Sequence, residues 1–297
     1  MKHITSRHIN YPAEAVALGN FDGLHRGHQE LIRTAKESGN ATVFSFFPPP
    51  SSVVGGAPVK AIMTSEEKAF LLEKMGVEHF IEYPFDEEIA DMSPENFVRD
   101  ILARQLCCKT VVVGEDYRFG QRGRGDCELL RTLGGELGFE LKVIPHIMDG
   151  ESKISSTRVR EAVAEMKFEA AASLMGRPYF VMGEVVRGNM LGRSMGIPTA
   201  NIAPPEYKFL PPSGVYRSDV RLGDQTLLGM TNVGTRPTVT KDTEIIVETH
   251  ILDFNGDIYG QTITAEFRQW IRPESKFQNI DELRAQIMRD IASVRNS

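Results

Sequence analysis

Two histidines three residues apart follow a short apolar strand and open a predicted helix. Residues 18–29 read Leu-Gly-Asn-Phe-Asp-Gly-Leu-His-Arg-Gly-His-Gln, and the apolar helix positions that follow are Leu31, Ile32 and Ala35. His25 and His28 share one helical face, where unpaired backbone N–H groups and the helix dipole attract an anion. A strand, a glycine turn and a helix in this order predict a phosphate site with two imidazoles. The alternative is a pair of solvated histidines in an ordinary turn.

A second group of phosphate-binding side chains lies at residues 154–160, which read Ile-Ser-Ser-Thr-Arg-Val-Arg. The hydroxyls of Ser155, Ser156 and Thr157 open a predicted helix, and Arg158 and Arg160 follow. Hydroxyls and free N–H groups bind phosphate oxygens, and an arginine adds a bidentate, charge-assisted contact. Taken alone, the segment is equally typical of a helix cap before a solvated basic turn. Its place beside the histidine turn on the same predicted sheet favours the phosphate site.

A basic, glycine-rich loop follows the predicted buried strand at residues 110–113. Residues 114–120 read Gly-Glu-Asp-Tyr-Arg-Phe-Gly, and Asp116 falls where ligands lie in open α/β sheets. Arginines alternate with glycines through residue 125: Arg118, Gly120, Arg122, Gly123, Arg124 and Gly125. The loop is consistent with a flap over a phosphorylated substrate and equally with an ordinary surface loop.

These groups favour the transfer of a nucleotide. The sequence contains no Gly-x-x-x-x-Gly-Lys-Ser/Thr loop, which excludes a P-loop kinase. Two histidines and a basic, hydroxyl-rich helix start suit the attack of one phosphate on the α-phosphate of a nucleotide, with pyrophosphate leaving. Such a transfer depends on positioning and charge neutralisation more than on a strong base.

The 297 residues are enough for two domains. Strand-like and helix-like segments alternate up to about residue 170, which predicts a parallel sheet covered by helices. From Gly176 onward, six short β-type runs suggest an antiparallel barrel or sandwich, closed by a helix at 279–294. The runs are 180–186, 199–202, 214–222, 226–233, 244–252 and 262–267. We place the border near 173–178, with domains at 1–174 and 175–297.

Composition excludes several classes of protein. A net charge of −6 argues against a general nucleic-acid binder. No apolar run approaches the length of a membrane span, and residues 1–8 lack the apolar core of a signal peptide. The three cysteines contain no Cys-x-x-Cys pair, so neither a disulfide framework nor a zinc site is indicated. We therefore expect a cytoplasmic protein, monomeric or weakly homo-oligomeric, that binds small molecules and neither nucleic acid nor membrane.

The second half carries a candidate magnesium site. A glycine-studded basic stretch at 183–196 leads into Ile197-Pro198-Thr199-Ala200-Asn201. Thr199 and Asn201 are two apart, so both side chains face one side of an extended strand. A hydroxyl and an amide oxygen are donors suited to Mg²⁺ shared with ATP phosphates. The pair alone also fits an exposed polar strand.

The first half resembles the flavin adenylyltransferase module of bacterial bifunctional riboflavin kinase/FAD synthetases. The similarity is carried by Gly-Asn-Phe-Asp-Gly-Leu-His-Arg-Gly-His, Val-Val-Gly-Glu-Asp-Tyr-Arg-Phe-Gly and Ile-Ser-Ser-Thr-Arg-Val-Arg. The resemblance implies that His25 and His28 hold the ATP phosphates, with Arg160 as a third catalytic group. It implies nucleotide binding by Gly19, Asn20, Phe21, Asp22, Gly27, Asp116, Ser155, Ser156, Thr157 and Arg158. Pro49 stands where the family usually has a histidine.

The second half resembles the riboflavin kinase module of the same family. Its motifs are Gly-x-x-x-Gly-Ile-Pro-Thr-Ala-Asn, Ser-Gly-Val-Tyr, Thr-Asn-Val-Gly-Thr-Arg-Pro-Thr, Val-Glu-Thr-His-Ile-Leu-Asp-Phe and Ile-Arg-Pro-Glu-Ser-Lys-Phe, in order. The resemblance implies that Thr199 and Asn201 hold Mg²⁺ and that Glu248 is the base on the ribityl hydroxyl. It implies nucleotide binding by Gly183, Gly188, Gly192, Gly196 and Pro198.

Together the two halves predict a Rossmann-like nucleotidylyltransferase domain and a six-stranded antiparallel β-barrel kinase domain with a C-terminal helix. The expected function is phosphorylation of riboflavin to FMN and adenylylation of FMN to FAD, with ATP as co-substrate. One alternative is a nucleotidylyltransferase for another substrate, which leaves the second half unexplained. Another is a flavin-binding regulator that has lost turnover.

Overall fold

A computed structural model describes residues 1–9, 11–54, 59–187, 196–237 and 243–296. The described chain divides into two compact units, Met1–Ser156 and Thr157–Ser297. The first unit is α/β and the second is mainly β, as the alternation of segments predicts.

The first unit is built on a six-stranded sheet in which all neighbouring strands run parallel. The strands are β1 (Lys2–Ile4), β2 (Ala15–Leu18), β3 (Ala41–Phe47), β4 (His79–Pro84), β5 (Thr110–Gly114) and β6 (Glu140–Ile144). Their order is β1-β4-β3-β2-β5-β6. All of β2 and four of the five residues of β5 are buried, because helices cover both faces of a parallel sheet. After β2 the chain adds β3 and β4 on one side of that strand, and it then adds β5 and β6 on the other side. The carboxyl ends of β2 and β5 therefore form the topological switch point.

Helices connect these strands and begin where local capping signals predict. They are α1 (Arg26–Glu37), α2 (Pro50–Val53), α3 (Ser65–Lys74), α4 (Glu87–Ala90), α5 (Pro94–Asn96) and α6 (Cys127–Leu137). The backbone continues from α5 as a π-helix at Phe97–Gln105. A capping box opens α3, since Thr64 accepts from Glu67 N and the Glu67 carboxylate accepts from Thr64 N. A small ribbon, β7 (Met148–Asp149) and β8 (Ser152–Lys153), precedes α7 (Ser156–Ala164).

The second unit is a six-stranded antiparallel sheet that nearly closes on itself. After α8 (Phe168–Met175) come β9 (Phe180–Glu184), β10 (Ala200–Ile202), β11 (Gly214–Leu222), β12 (Gln225–Pro237), β13 (Thr243–Ile251) and β14 (Thr262–Pro273). The order is β10-β13-β12-β11-β14-β9. Val186, just beyond β9, donates its N–H to Asn201 O at 2.9 Å, which brings the two edges together. The predicted barrel is therefore confirmed as a near-barrel.

The barrel core and the last helix complete the second unit. The rings of Tyr216 and Phe267 pack edge to face at 5.2 Å inside the barrel. Phe168 of α8 covers them. The predicted C-terminal helix is present as α9 (Ile280–Asn296), capped by Asn279, whose Oδ1 accepts from Glu282 N at 2.9 Å. Arg272 of β14 anchors α9 through the buried carboxylate of Asp290.

Candidate active sites

The histidine turn of the first unit leaves β2 and enters α1 through strained backbone. Phe21 and Leu24 adopt positive φ angles of 49° and 40°, on either side of Gly23 at 83°. Such angles are costly for residues with side chains, and the complete burial of Phe21 and Leu24 compensates. The strained turn places His25 at the N-cap of α1, where its Nδ1 accepts a hydrogen bond from His28 N at 3.4 Å.

The two imidazoles lie against each other. The ring centroids of His25 and His28 are 3.7 Å apart with planes 17° from parallel, and Phe21 packs on His28 at 5.2 Å. Burial lowers the pKa of His25 to about 4. Burial, followed by the charges of His25 and Lys68, holds the pKa of His28 well below its usual range. Both rings are therefore neutral at pH 7, and because His25 Nδ1 accepts a hydrogen bond, its hydrogen lies on Nε2.

Asp22 joins the turn to two other segments. Its Oδ1 accepts from Met63 N at 3.2 Å, just before the cap of α3. Its backbone carbonyl accepts from the hydroxyl of Ser156 at 2.7 Å, at the start of α7. Asp22, next to the predicted phosphate site, thus connects the turn to the segment before α3 through its side chain and to the start of α7 through its backbone carbonyl.

A cavity of 510 Å³ lies at the switch point, in front of the histidines. The sequence-predicted residues that line it are Gly19, Asn20, His25, Gly27, His28, Asp116, Ser155 and Ser156. Phe21 is buried behind His28, and Asp22 supports the turn. Thr157, Arg158 and Arg160 follow Ser156 on α7, within the second compact unit. Pro50 lines the cavity whereas Pro49 does not.

The cavity also contains groups that the sequence reasoning missed. Lys153 on β8 lines it and donates to Asp116 Oδ2 at 2.9 Å. One wall is aromatic and consists of Phe44, Phe46, Phe85, Tyr117 and Phe119. Phe44 and Phe46 lie on β3 and Phe85 directly follows β4, whereas Tyr117 and Phe119 lie in the loop after β5. Of the basic loop, Arg118 lines the cavity and pairs with Asp126 at 3.2 Å.

The second unit places Glu248 between two amide side chains. In the register of β13, Glu248 stands opposite Asn201 of β10 and Asn232 of β12. Cross-strand partners point to the same face of a sheet. Glu248 therefore shares a face with Asn201, which the spacing of residues 199 and 201 alone does not reveal.

The side chain of Asn201 presents a buried oxygen to which no donor among the described residues is bonded. Asn201 is only 4% exposed. Its Nδ2 donates to Thr199 O at 3.2 Å and to Thr199 Oγ1 at 3.4 Å. Within the described part of the chain, Asn201 Oδ1 has no hydrogen-bond partner. A buried acceptor without a partner costs free energy, and an amide oxygen on a side chain next to a threonine hydroxyl fits a hard cation such as Mg²⁺.

A cavity of 830 Å³ opens beside this pair. Gly196, Pro198, Thr199 and Asn201 line it, together with His250 and the segment from Asp253 to Tyr259. Glu248 does not line the cavity itself but neighbours Thr249, which does. Gly183 of β9 serves close packing, because a Cβ there would lie 2.5 Å from Ile202 Cγ2. Gly188 and Gly192 lie outside the described residues.

These features define a class: a nucleotidyltransferase-like parallel sheet followed by a β-barrel unit with its own cavity. A family model described as FAD synthetase matches residues 8–158, and one described as riboflavin kinase matches residues 175–297. Among curated relatives, the bifunctional riboflavin kinase/FMN adenylyltransferase of Escherichia coli K12 is 39% identical, covering 94% of this chain and 91% of that protein. That of Bacillus subtilis is 33% identical, covering 97% and 95%.

A solved structure extends the likeness over the full length. A crystal structure from Streptococcus pneumoniae, described as a macrolide-efflux protein, is 31% identical with a TM-score of 0.84 and covers 100% of both chains. Among the residues described here, no helix is long and apolar enough to span a bilayer.

The chain belongs to the bifunctional riboflavin kinase/FMN adenylyltransferase family. It converts riboflavin to FMN and FMN to FAD, with ATP as the second substrate. The two alternatives, a nucleotidylyltransferase for another substrate and a flavin-binding regulator without turnover, are thereby excluded.

Proposed function

We propose that FMN adenylylation takes place in the cavity of the first unit, with His25 and His28 on the ATP phosphates. An oxygen of the FMN phosphate attacks the α-phosphorus of ATP, the bond from that phosphorus to the bridging oxygen breaks, and pyrophosphate leaves. The observation that carries the proposal is the stacked pair of buried, neutral imidazoles at the N-terminus of α1. Neutral rings donate N–H hydrogen bonds, and a bound polyphosphate favours their protonation as charge develops.

Fixed cations supply the charge that neutral histidines lack. Lys153 and Arg118 line the same cavity. Ser155 and Ser156 stand at the start of α7, where free N–H groups bind phosphate. Thr157, Arg158 and Arg160, further along that helix, are proposed to bind the nucleotide, as the family resemblance implies. Gly19, Asn20, Gly27 and Asp116 complete the pocket, with Phe21 and Asp22 as its support.

The aromatic wall of the cavity suits the isoalloxazine ring of FMN. The rings of Phe46 and Phe85 pack at 5.0 Å, and those of Tyr117 and Phe119 stack at 5.7 Å. Aromatic surfaces favour stacking on a flat heterocycle. With phosphate groups held at the histidine end, the cavity has one polar and one aromatic region, which matches the two ends of FMN.

Riboflavin phosphorylation is assigned to the cavity of the second unit. Thr199 and Asn201 would hold Mg²⁺, and the support for this is the buried Asn201 Oδ1 without a donor. When bound there, Mg²⁺ supplies positive charge to the ATP phosphates. Glu248 takes the proton from the terminal ribityl hydroxyl, whose oxygen attacks the γ-phosphorus of ATP, and ADP leaves. Gly183, Gly188, Gly192, Gly196 and Pro198 are proposed to let the backbone approach the nucleotide.

A cytoplasmic location and a monomeric or weakly homo-oligomeric state remain predictions from sequence, as does the border between residues 174 and 175. The proposed partners are riboflavin, FMN and ATP, with no nucleic acid or membrane.

One incubation tests the assignment of both activities. The protein is mixed with riboflavin, ATP and Mg²⁺, and the flavins are separated by chromatography. FMN followed by FAD is expected. No flavin product would contradict both assignments, and FMN without FAD would overturn the role of the first unit.

A further inference from the structure

A side-chain hydrogen bond ties β13 to the residue before Thr199. Nδ1 of His250 lies 2.8 Å from the backbone oxygen of Pro198. Because a carbonyl oxygen only accepts, Nδ1 carries the hydrogen and donates it. Both residues line the 830 Å³ cavity. The bond therefore joins two walls of the proposed kinase site.

This bond forms where the backbone ladder stops. The pairing of β10 with β13 runs from Ile202 opposite Val247 to Ala200 opposite Thr249. Continued by one residue, the register would set Thr199 opposite His250. Pro198 has no N–H to offer a ladder, so the backbone alone cannot extend the pairing beyond it. The imidazole supplies the missing connection to the Pro198 carbonyl.

His250 also faces the same side as the groups proposed to act in the reaction. Residues two apart on a strand share a face, so His250 lies on the face of Glu248. Glu248 stands opposite Asn201. The anchor at Pro198 is therefore on the side of the sheet where the proposed base and the amide ligand lie.

Thr199 depends on such an anchor because it lies outside every strand of the described chain. The Nδ2 of Asn201 donates to the hydroxyl and to the carbonyl oxygen of Thr199. We infer that His250 is a positioning residue that, by holding Pro198, fixes Thr199 Oγ1 beside Asn201 Oδ1 as a divalent-cation site. This inference rests on the magnesium site proposed above. Mg²⁺ requires near-ideal ligand geometry, so a loosened Thr199 weakens binding.

Two substitutions at one position test the inference. In His250→Ala the donor is lost, whereas in His250→Asn the amide nitrogen takes the place of Nδ1. We expect the Mg²⁺ concentration for half-maximal FMN formation to rise about tenfold in His250→Ala, the effect of one lost hydrogen bond. We expect His250→Asn to stay close to the wild type. A second readout without turnover is the affinity for Mn²⁺, followed by electron paramagnetic resonance with ADP present, which should weaken in parallel.

A third variant separates this inference from the proposal beneath it. If Asn201→Ala weakens Mn²⁺ binding but His250→Ala does not, the positioning role is wrong and the metal site stands. If the Ala and Asn variants at 250 are equally impaired, the donated hydrogen bond is not the cause and the inference is overturned. Unchanged Mn²⁺ binding in Asn201→Ala overturns the metal site itself. A circular dichroism spectrum and a urea unfolding transition like those of the wild type report that each full-length variant is folded.

Discussion

A Cβ atom on Gly27 would lie 3.2 Å from both Cε1 and Nδ1 of the His25 ring. That ring is stacked on His28 and caps α1, so it cannot yield without disturbing the pair. We predict that Gly27→Ala lowers the rate of FMN adenylylation about tenfold, since small misplacements of catalytic groups reduce rate strongly. Stability should change by less than about 1 kcal/mol, because alanine is also the better helix former. Steady-state kinetics and urea unfolding measure the two effects.

Gly135 provides the matched control. It also lies in a helix, α6, but a Cβ there meets nothing within 4 Å. Gly135→Ala should raise the free energy of unfolding by about 0.5–1 kcal/mol and leave adenylylation unchanged. Equal activity losses in both variants would show that the close approach at Gly27 is irrelevant.

The neutral state of His25 makes the first unit sensitive to acid. Burial lowers the folded pKa of His25 from 6.5 to about 4, so the unfolded chain binds the proton first as the pH falls. The contribution of the neutral His25 to the free energy of unfolding is therefore fully present above about pH 6.5 and is lost as the pH falls toward 4. From pH 7 to pH 5 we expect the His25 contribution to fall by about 2 kcal/mol.

His25→Asn isolates this contribution, because asparagine remains a good N-cap but does not titrate. The free energy of unfolding of both proteins is measured in urea at pH 7 and pH 5. Between these pH values, that of the wild type should fall by about 2 kcal/mol more than that of His25→Asn. A difference independent of pH would mean that the buried imidazole is not held neutral.

His28 is predicted to act only in the second reaction. His28→Ala should slow adenylylation of FMN by about 10²–10³-fold, the effect of losing one charge-stabilising donor. Riboflavin phosphorylation should keep its wild-type rate. Rates of pyrophosphate release from supplied FMN and ATP measure the first effect. Near wild-type release in His28→Ala would contradict the assigned role.

Glu248 is predicted to act only in the first reaction. Glu248→Gln keeps the shape of the side chain but cannot take a proton, so FMN formation should fall by about 10²–10⁴-fold. Conversion of supplied FMN to FAD should continue. A loss of FMN formation smaller than tenfold would leave Glu248 without a role as base.

Local signals in the sequence were sufficient for many elements. The box of Thr64 and Glu67 and the cap of Asn279 with Glu282 form between residues three apart, so the sequence alone identifies them. The strand at Gly214–Leu222 has the predicted bounds. Other elements form only because a strand distant in the sequence pairs with them. Residues Lys2–Ile4 show no strand pattern, yet they form an edge strand because β4 lies beside them.

The long strands and the site geometry also depend on distant partners. The predicted run ending at Phe267 continues to Pro273, because Gln269, Trp270, Arg272 and Pro273 pair with β11. Similarly, the motifs indicate His25 and His28, but not that burial keeps them neutral or that they stack. Nor does the spacing of Asn201 and Glu248, 47 residues apart, predict that they stand opposite each other.

We propose that two separable sites, one in each unit, perform the two steps. The most direct measurement is the flavin profile of His28→Ala and Glu248→Gln, each alone and mixed, with riboflavin, ATP and Mg²⁺. His28→Ala should accumulate FMN, Glu248→Gln should leave riboflavin unconverted, and the mixture should produce FAD. Loss of both steps in either variant, or a mixture that forms no FAD, would contradict the account.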